Sequence, residues 1–276
     1  MSAIIGHGLA AAGFLTSAFP LSLAAQRSAT SSDTDWLDSC RNDWRDDRGH
    51  ACEVRNVPMR LAGRSLGIDG RQNGSIRVRG WDGDSVRVTA RLRANAGSDG
   101  DAESMLKEVR ITADGRTVHA DGPGGFGRRT DWSASYVVWV PRRFDLSLDA
   151  NNGSLGVAEV TGKLDLRTMN GSVTLSDVGG DVHARTQNGS LNVELVGAGW
   201  DGAGLDAETQ NGSVRLMVPE SYTAQLETGT VNDRFNTDIP ITVQGRISRQ
   251  FSVPLNGGGR TVRAMTTNGS VKVSRR

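Results

Sequence analysis

Residues 164–191 read LDLRTMNGSVTLSDVGGDVHARTQNGSL, which is one pattern written twice around the tripeptide Asn-Gly-Ser. The chain has 276 residues. Three successive copies of the tripeptide begin at residues 152, 170 and 188, so each is 18 residues after the one before it. The tripeptide begins at six positions, which we interpret as structural turn repeats: Asn73, Asn152, Asn170, Asn188, Asn211 and Asn268. A degenerate copy, Thr228-Gly229-Thr230, follows the fifth of them. Self-similarity at a fixed period predicts a stack of structural repeats.

Apolar and polar residues alternate on both sides of each Asn. In one copy Leu164, Leu166 and Thr168 precede Asn170 at steps of two, and Val173 follows it. This period of two predicts β-strands with one buried face. The residues three positions before the Asn are polar in successive copies and are expected on the solvent side: Asp149, Arg167, Arg185 and Glu208.

Two architectures fit this alternation. Asn-Gly between alternating strands is a strong hairpin signal, and a two-residue turn would pair the strands on either side of it. In a β-solenoid each unit is instead one coil, with Asn-Gly at a corner where Gly supplies a positive φ at no steric cost. The solenoid is favoured because in-register stacking explains why one residue recurs at one phase. It would set Asp149 beside Arg167 and Arg185 beside Glu208 as outward ion pairs, each worth at most ~1 kcal/mol.

The composition agrees with a fold of many turns and a thin core. The chain contains 35 Gly, and only 5% of its residues are aromatic. Its formal net charge is +1 at pH 7. A charge this close to neutral argues against a general binder of nucleic acid or of anionic membranes, because both need a strong excess of Lys and Arg.

The N-terminus predicts export. An uncharged stretch, Leu9–Ala25, ends in small residues, which is typical of a signal peptide. It is shorter than the ~20 apolar residues of a membrane-spanning helix, so we expect no transmembrane segment after cleavage. An uncleaved anchor is the alternative, because no Lys or Arg precedes the stretch. The only two cysteines, Cys40 and Cys52, are close together, and in an exported protein such a pair predicts a disulfide worth ~3 kcal/mol.

The chain is expected to divide into four segments. They are a signal peptide (1–25), a disulfide loop and linker (26–59), an N-terminal β-rich cap (60–140) and a β-solenoid of about 18-residue repeats (141–276). The cap contains one short helix, which Asp101 begins and Val109 ends. Its role would be to cover the first coil, since a solenoid end otherwise exposes its core and an unpaired strand edge.

Several stretches are similar to a known family. They are RQNGSIRVRGWDGDSVRVTARL (71–92), PRRFDLSL (141–148), the units TMNGSV, TQNGSL and TQNGSV, and the ending TTNGSVKV. These resemble the bacterial β-strand-repeat family of candidate adhesins, a domain of unknown function found in exported proteins. The resemblance covers residues 60–276. It implies an all-β, right-handed, single-stranded β-helix-like fold at the cell envelope, and it supplies no catalytic or binding residue.

Two short motifs formally match functional signatures. Residues 63–67 fit the G-x-S-x-G nucleophile elbow, but turn and strand patterns follow where that motif needs a helix. Residues 122–127 fit G-x-G-x-x-G, again with no helix to direct its amides at a phosphate. Both are expected to be ordinary Gly-rich turns, and we expect no cofactor.

Metal ligands are not expected either. His50, His119 and His183 lie far apart without ligand spacing and should be solvated surface residues. A zinc site from the two cysteines and His50 matches no known spacing. The Asp-Gly stretches at 82–84 and 99–101 lack the repeated nonapeptide of calcium-binding β-rolls, so we interpret them as turns.

The sequence therefore favours a non-catalytic, exported cell-envelope or surface protein, an adhesin or scaffold rather than an enzyme. It would be periplasmic, exposed on the cell surface or secreted. Its partner would be a surface polysaccharide or another envelope protein, and not nucleic acid. The alternative is a carbohydrate-active β-helix enzyme, a polysaccharide lyase or hydrolase, which needs clustered carboxylates on adjacent coils. The nearest approach to such a cluster consists of Asp165, Arg167, Arg185 and Glu208.

Overall fold

The computed structural model describes residues 23–42, 48–124, 130–239 and 250–276, and for residues 23–31 only the backbone. Within these ranges the protein is built almost entirely from β-strands, twenty in number, with two helices. The strands form two ten-stranded sheets, which we name sheet I and sheet II. Apolar side chains from both sheets join in one continuous core.

The helices are α1 (Leu23–Arg41) and α2 (Asp99–Glu108). The strands are β1 (Gly49–Val57), β2 (Ser65–Asp69), β3 (Ile76–Trp81), β4 (Arg87–Ala96), β5 (Arg110–Ala113), β6 (Thr117–Asp121), β7 (Asp131–Pro141), β8 (Asp145–Ala150), β9 (Leu155–Ala158), β10 (Thr161–Thr168), β11 (Val173–Ser176), β12 (Gly179–Thr186), β13 (Leu191–Glu194), β14 (Gly204–Asn211), β15 (Val214–Val218), β16 (Ala224–Thr230), β17 (Phe235–Thr237), β18 (Gln250–Leu255), β19 (Thr261–Asn268) and β20 (Val271–Arg275). Sheet I has the order β1-β4-β7-β3-β9-β11-β13-β15-β20-β17, and sheet II the order β18-β16-β19-β14-β12-β10-β8-β2-β6-β5.

The Asn-Gly-Ser repeats stack as parallel coils. Each coil has one strand in sheet II, an Asn-Gly-Ser corner, and one strand in sheet I, as β10 and β11 show. Leu164 of β10 faces Leu146 of β8 on one side and Val182 of β12 on the other, in parallel register. The hairpin alternative is wrong, because the strands before and after each Asn-Gly lie in different sheets.

The inward positions of the coils fill with aliphatic side chains. Leu164, Leu166, Val173 and Leu175 of one coil are all fully buried. The buried aromatic residues among those described lie outside the strands of the Asn-Gly-Ser coils: Trp132, Tyr136, Phe144, Trp200 and Tyr222. The space between two closely apposed strands per coil suits Leu, Val and Ala, which explains why the chain contains so few aromatic residues.

The order of the coils in space differs from their order in the chain at both ends. The segment 65–81 already forms a coil, since β2 pairs with β8 and β3 with β9. At the other end β19 lies between β14 and β16, so the C-terminal coil is inserted into the stack. Both sheets therefore contain strands from before and after residue 141, where the cap was expected to end and the solenoid to begin. The division of the chain into domains at this residue stays a prediction.

The degenerate repeat does not begin at Thr228, as the sequence analysis predicted. Thr230 pairs with Thr266, which precedes Asn268 by two residues. The equivalent of Asn268 is therefore Asn232, whose side chain donates a hydrogen bond to the Asn268 side-chain oxygen Oδ1 at 2.6 Å. The prediction at Thr228 was four residues too early, because a short polar tripeptide is a weaker guide to register than the strand pairing.

Helix α2 begins earlier than predicted. Its N-cap is Ser98, whose hydroxyl accepts the Asp101 backbone amide at 3.2 Å and donates to the Asp101 carboxylate at 2.8 Å. Asp101 is thus the third helical residue, bonded to the cap through its backbone amide and its carboxylate, and not the cap itself. The Asp-Gly stretch at 99–101, which was interpreted as a turn, is accordingly the first turn of this helix.

The predicted disulfide is present between Cys40 and Cys52. Cys40 lies in the last turn of α1 and Cys52 in β1, so much of the segment expected to be a loop is helix and strand. Most of the predicted signal peptide lies outside the described residues, which begin at Leu23 within it. In the part of the chain that the structure covers, no helix is both long and apolar enough to cross a membrane.

Candidate functional site

The Asn-Gly-Ser corner carries a ladder of side-chain amides. Asn170 donates through Nδ2 to the side-chain oxygen Oδ1 of Asn152 at 2.8 Å, and Asn188 donates in the same way to Oδ1 of Asn170 at 2.8 Å. Asn152 donates in the same way to Asn73, Asn211 to Asn188, and Asn268 to Asn211. All six turn residues singled out in the sequence are thus brought together in one line, which Asn232 extends. Each amide between the two ends of the ladder, Asn73 and Asn232, both accepts and donates, so the ladder is a stabilising feature of the coil stack.

The glycine of each corner is needed for a reason that the sequence did not predict. Gly153, Gly171, Gly189 and Gly212 are not among the residues with positive φ. A Cβ on Gly171 would instead lie 2.0 Å from the carbonyl oxygen of Gly153 in the coil before it. The expectation of a positive φ was wrong at these four corners, where close approach of successive backbones and not backbone conformation excludes a side chain. Gly269, at the last corner, is among the glycines with positive φ, at 159°.

Those glycine carbonyl oxygens accept hydrogen bonds from threonines inside the corner. The Thr168 hydroxyl donates to Gly153 at 2.8 Å, and the Thr186 hydroxyl donates to Gly171 at 2.7 Å. Thr209 and Thr266 repeat this bond in later coils. The threonines two positions before the Asn are buried, and these bonds satisfy their hydroxyl groups.

The outer face of sheet II carries acidic and basic side chains in ion pairs. Arg185 lies 3.6 Å from Glu208, as its register predicted, and 3.2 Å from Asp206. The other expected pair does not form, because Arg167 turns to Asp165 on its own strand at 2.6 Å. The four residues of the enzyme alternative therefore lie on one face, but their charges are compensated by neighbours.

Asp149 is the exception on this face. No ion pair or side-chain hydrogen bond of Asp149 occurs among the described residues. Partial burial of the carboxyl raises its pKa, Arg167 opposes the rise, and the charges of Asp165 and Asp69 add to it. Asp149 lines an open trough of about 700 Å³ that follows the corner across several coils.

The outer face of sheet I has a different character, with arginine and tryptophan side chains next to each other. The Arg79 guanidinium lies 5.6 Å from the ring centre of Trp139, and that of Arg87 lies 4.3 Å from Trp81. These are cation–π distances. A cleft of about 620 Å³ opens on this face. Its lining comes from α1 and five strands of sheet I, and includes Arg77, Arg79, Trp139, Gly156, Ala158 and Thr174.

Sequence reasoning missed this cleft, although part of the signal was present. The residues four positions after each Asn point outward from sheet I: Arg77, Gly156, Thr174, Asn192, Arg215 and Lys272. That column contains cations and no acid. Trp139 and the helix α1 lie outside the repeats, so no periodic pattern could place them beside it.

The first short motif lacks the helix that a nucleophile elbow needs. Ser65 begins strand β2, and no helix follows residues 63–67. Residues 125–127 of the second glycine motif lie outside the described ranges. His183 lies 3.1 Å from Asp181, and no group of three or more metal-ligating side chains occurs in the part of the chain that the structure describes.

His50 is less exposed than the sequence analysis expected. It is half-buried in β1, and its Nδ1 lies 2.7 Å from the Asn95 side-chain oxygen. It is therefore part of a packed region near α2 and not a solvated surface residue as expected. His119 is also partly covered, with 25% of its side chain exposed beside Asp121.

The geometry defines a class of protein: two sheets of mainly parallel strands joined coil by coil, with ladders of polar side chains at the corners and chemically distinct outer faces. A family model described as Toastrack DUF4097 matches residues 129–274, and the chain belongs to this family. No curated protein matches the chain.

Solved structures from three bacteria are similar to this protein. A candidate cell adhesion protein from Clostridium sporogenes has 12% identity over 82% of this chain and 100% of that chain, with a TM-score of 0.42. A candidate adhesin from Bacteroides fragilis has 10% identity over 82% and 97%, with a TM-score of 0.41. A candidate adhesin from Parabacteroides distasonis has 10% identity over 83% and 98%, with a TM-score of 0.39.

Proposed function

We propose that this Toastrack-family protein is a non-catalytic, exported cell-envelope or surface protein that acts as an adhesin or scaffold. The observation that carries the proposal is the division of roles within each coil. Inward side chains build the core, and corner side chains bond to the neighbouring coil. Only the outer faces are left to contact a partner, and they form two extended, regular surfaces.

We also propose that the coils of the solenoid are right-handed throughout. Connections between parallel strands are right-handed in about 98% of cases, because a twisted strand packs back onto its sheet only in that sense. Export is supported by the disulfide between Cys40 and Cys52, since such bonds persist in oxidising compartments.

The enzyme alternative is less well supported because its carboxylates are held by guanidinium groups. Glu208 contacts both Arg185 and Arg263, and Asp206 accepts a hydrogen bond from Arg263 at 2.6 Å. A general acid or base must reach a proton on the substrate, and these two carboxylates are instead engaged in ion pairs with arginines of the same face.

Location and adhesion test the proposal together. Intact cells are treated with protease, then fractionated, and the protein is followed by immunoblotting. We expect cleavage on intact cells and loss of adhesion to polysaccharide-coated surfaces when the gene is deleted. A protein confined to the cytoplasm would disprove the proposal.

A second experiment separates the adhesin from the enzyme. Purified protein is incubated with acidic and neutral polysaccharides, and chain length is measured by size-exclusion chromatography. We expect no shortening. Shortening that the substitution Glu208→Gln abolishes would establish the enzyme alternative.

A further inference from the structure

The two sheets carry opposite net charges. The described strands of sheet I contain nine basic and three acidic residues, whereas those of sheet II contain five basic and nine acidic residues. Most of these side chains alternate outward, since the inward positions are apolar. The formal net charge of +1 for the whole chain therefore conceals one cationic and one anionic face.

Part of the cationic face is arranged in a straight line. We name it the cationic row: Arg77, Gly156, Thr174, Asn192, Arg215 and Lys272, one residue from each of six adjacent strands. Arg77, Arg215 and Lys272 are exposed and make no ion pair with any residue that the structure describes. Adjacent strands are ~4.8 Å apart, so the row offers one side chain per 4.8 Å step. Arg77 lies at one end of the row, and Arg215 and Lys272 lie at the other. The neutral hydrogen-bonding side chains of Thr174 and Asn192 lie between them.

The cleft on sheet I begins at the Arg77 end of this row. Gly156 leaves its floor open, because a Cβ built there would meet nothing closer than the Arg77 Cγ, at 3.8 Å. Trp139 forms an apolar wall, and Ser172, Thr174 and Ser176 line the opposite side. An apolar wall with a few polar groups and a free cation is the composition of a ligand site.

We propose that the cationic row and its cleft bind a linear acidic polysaccharide laid across the coils. The strand spacing is close to the length of one pyranose residue in an extended chain, so successive sugars meet successive strands. A carboxylate or sulfate group pairs with Arg77, and the C–H face of a sugar packs against Trp139. This inference rests on the proposed adhesin function and names its ligand class. A lipid surface fits less well, because the row contains no exposed apolar side chain that could enter a bilayer.

Binding of defined polymers tests the site. The purified full chain is titrated calorimetrically with alginate, chondroitin sulfate, neutral dextran, a DNA oligonucleotide and phosphatidylglycerol vesicles. We expect one of the two acidic polysaccharides to bind, and to bind more weakly as salt is raised. The substitution Arg77→Gln should weaken that binding about tenfold, the loss of one charge-assisted hydrogen bond.

Two further variants separate the site from general electrostatics. Gly156→Val fills the cleft without changing charge and should weaken binding about as much as Arg77→Gln. Arg167→Gln removes one cation from sheet II and should leave binding unchanged, and circular dichroism verifies that each variant is folded. The inference is overturned if neither acidic polysaccharide binds, if Arg167→Gln costs as much as Arg77→Gln, or if DNA or vesicles bind more tightly. A surface-exposed, adhesive protein with any of these results would retain the proposed function and lose only this site.

Discussion

At the scale of single residues, glycine performs two opposite roles in this protein. At the corner, Gly171 lies where a Cβ would meet the Gly153 carbonyl oxygen at 2.0 Å. On sheet I, Gly156 lies in a strand with open space above it. We therefore expect Gly171→Ala to lower the free energy of unfolding by more than ~2 kcal/mol, because the coils must separate. Gly156→Ala is the matched control and should be neutral or stabilising by ~0.5 kcal/mol, since it removes unfolded-state entropy.

Urea denaturation followed by circular dichroism measures both variants. Equal stability of the two would contradict the role assigned to close backbone approach. The sequence predicted the positions of these corner glycines correctly but gave them the wrong cause. A recurring Asn-Gly is local information, whereas the distance between two coils depends on the packing of the whole stack.

Asp149 provides a pH-dependent prediction. Its pKa is raised in the folded protein, chiefly by partial burial, with Asp165 and Asp69 adding to the rise against Arg167. The folded state then binds a proton more readily than the unfolded state, so this carboxylate lowers stability as pH rises through its folded pKa. We expect Asp149→Asn to be more stable than the wild type at pH 7. The advantage should vanish below the ordinary carboxyl pKa, where both states are protonated.

Thermal melts at a series of pH values from about 3 to about 8 test this prediction, because the ordinary carboxyl pKa lies within that range. Asp84→Asn, at an exposed loop position, is the control and should show no such pH-dependent difference. A stability gain for Asp149→Asn that is independent of pH would show that its carboxyl is not responsible.

At the scale of elements, helix α2 is held at both ends by specific bonds. The Ser98 and Asp101 pair closes its first turn. At its other end, Arg55 of β1 donates to the carbonyl oxygens of Leu106 at 2.7 Å and Val109 at 2.6 Å. The guanidinium supplies partners that the last turn of a helix lacks.

Removing that guanidinium should loosen α2. We expect Arg55→Met, which retains an apolar stem, to lower stability by about 1–3 kcal/mol, because two carbonyl oxygens lose a charged donor. Arg110→Met, at an exposed position of β5, is the control and should change stability by less than ~0.5 kcal/mol. Hydrogen exchange should be faster in residues 99–108 of the first variant only, and unchanged exchange there would contradict the role of Arg55.

The elements also show how far the sequence could predict this fold. Strands β8 to β15 follow from the period of two and the repeat interval, which are local patterns. Helix α1 has no such pattern. The contact of Arg55 with α2 could not be predicted either, because it depends on the pairing of β1 with β4. The candidate site divides in the same way: the cationic row is readable from the repeats, whereas Trp139 joins it through pairing of β7 with β3.

At the scale of the whole molecule, the order of the coils controls which parts depend on each other. Consecutive elements usually neighbour in space, and the central coils follow that rule. The C-terminal coil breaks it, because β19 lies between β14 and β16 and β20 lies between β15 and β17. Among the described strands, β16 and β17 therefore reach the central stack through their pairing with β19 and β20.

Deleting residues 261–276 should consequently unfold a region that precedes them in the sequence. Without β19 and β20, β16 retains only its antiparallel partner β18, and β17 retains no partner strand among those described. A two-stranded remnant is marginally stable in water. We expect fast hydrogen exchange in residues 224–237 of the deletion variant, with protection retained in residues 141–194. A control lacking only Arg275 and Arg276 should keep both regions protected, and protection of 224–237 in the longer deletion would show that β16 can stack directly on β14.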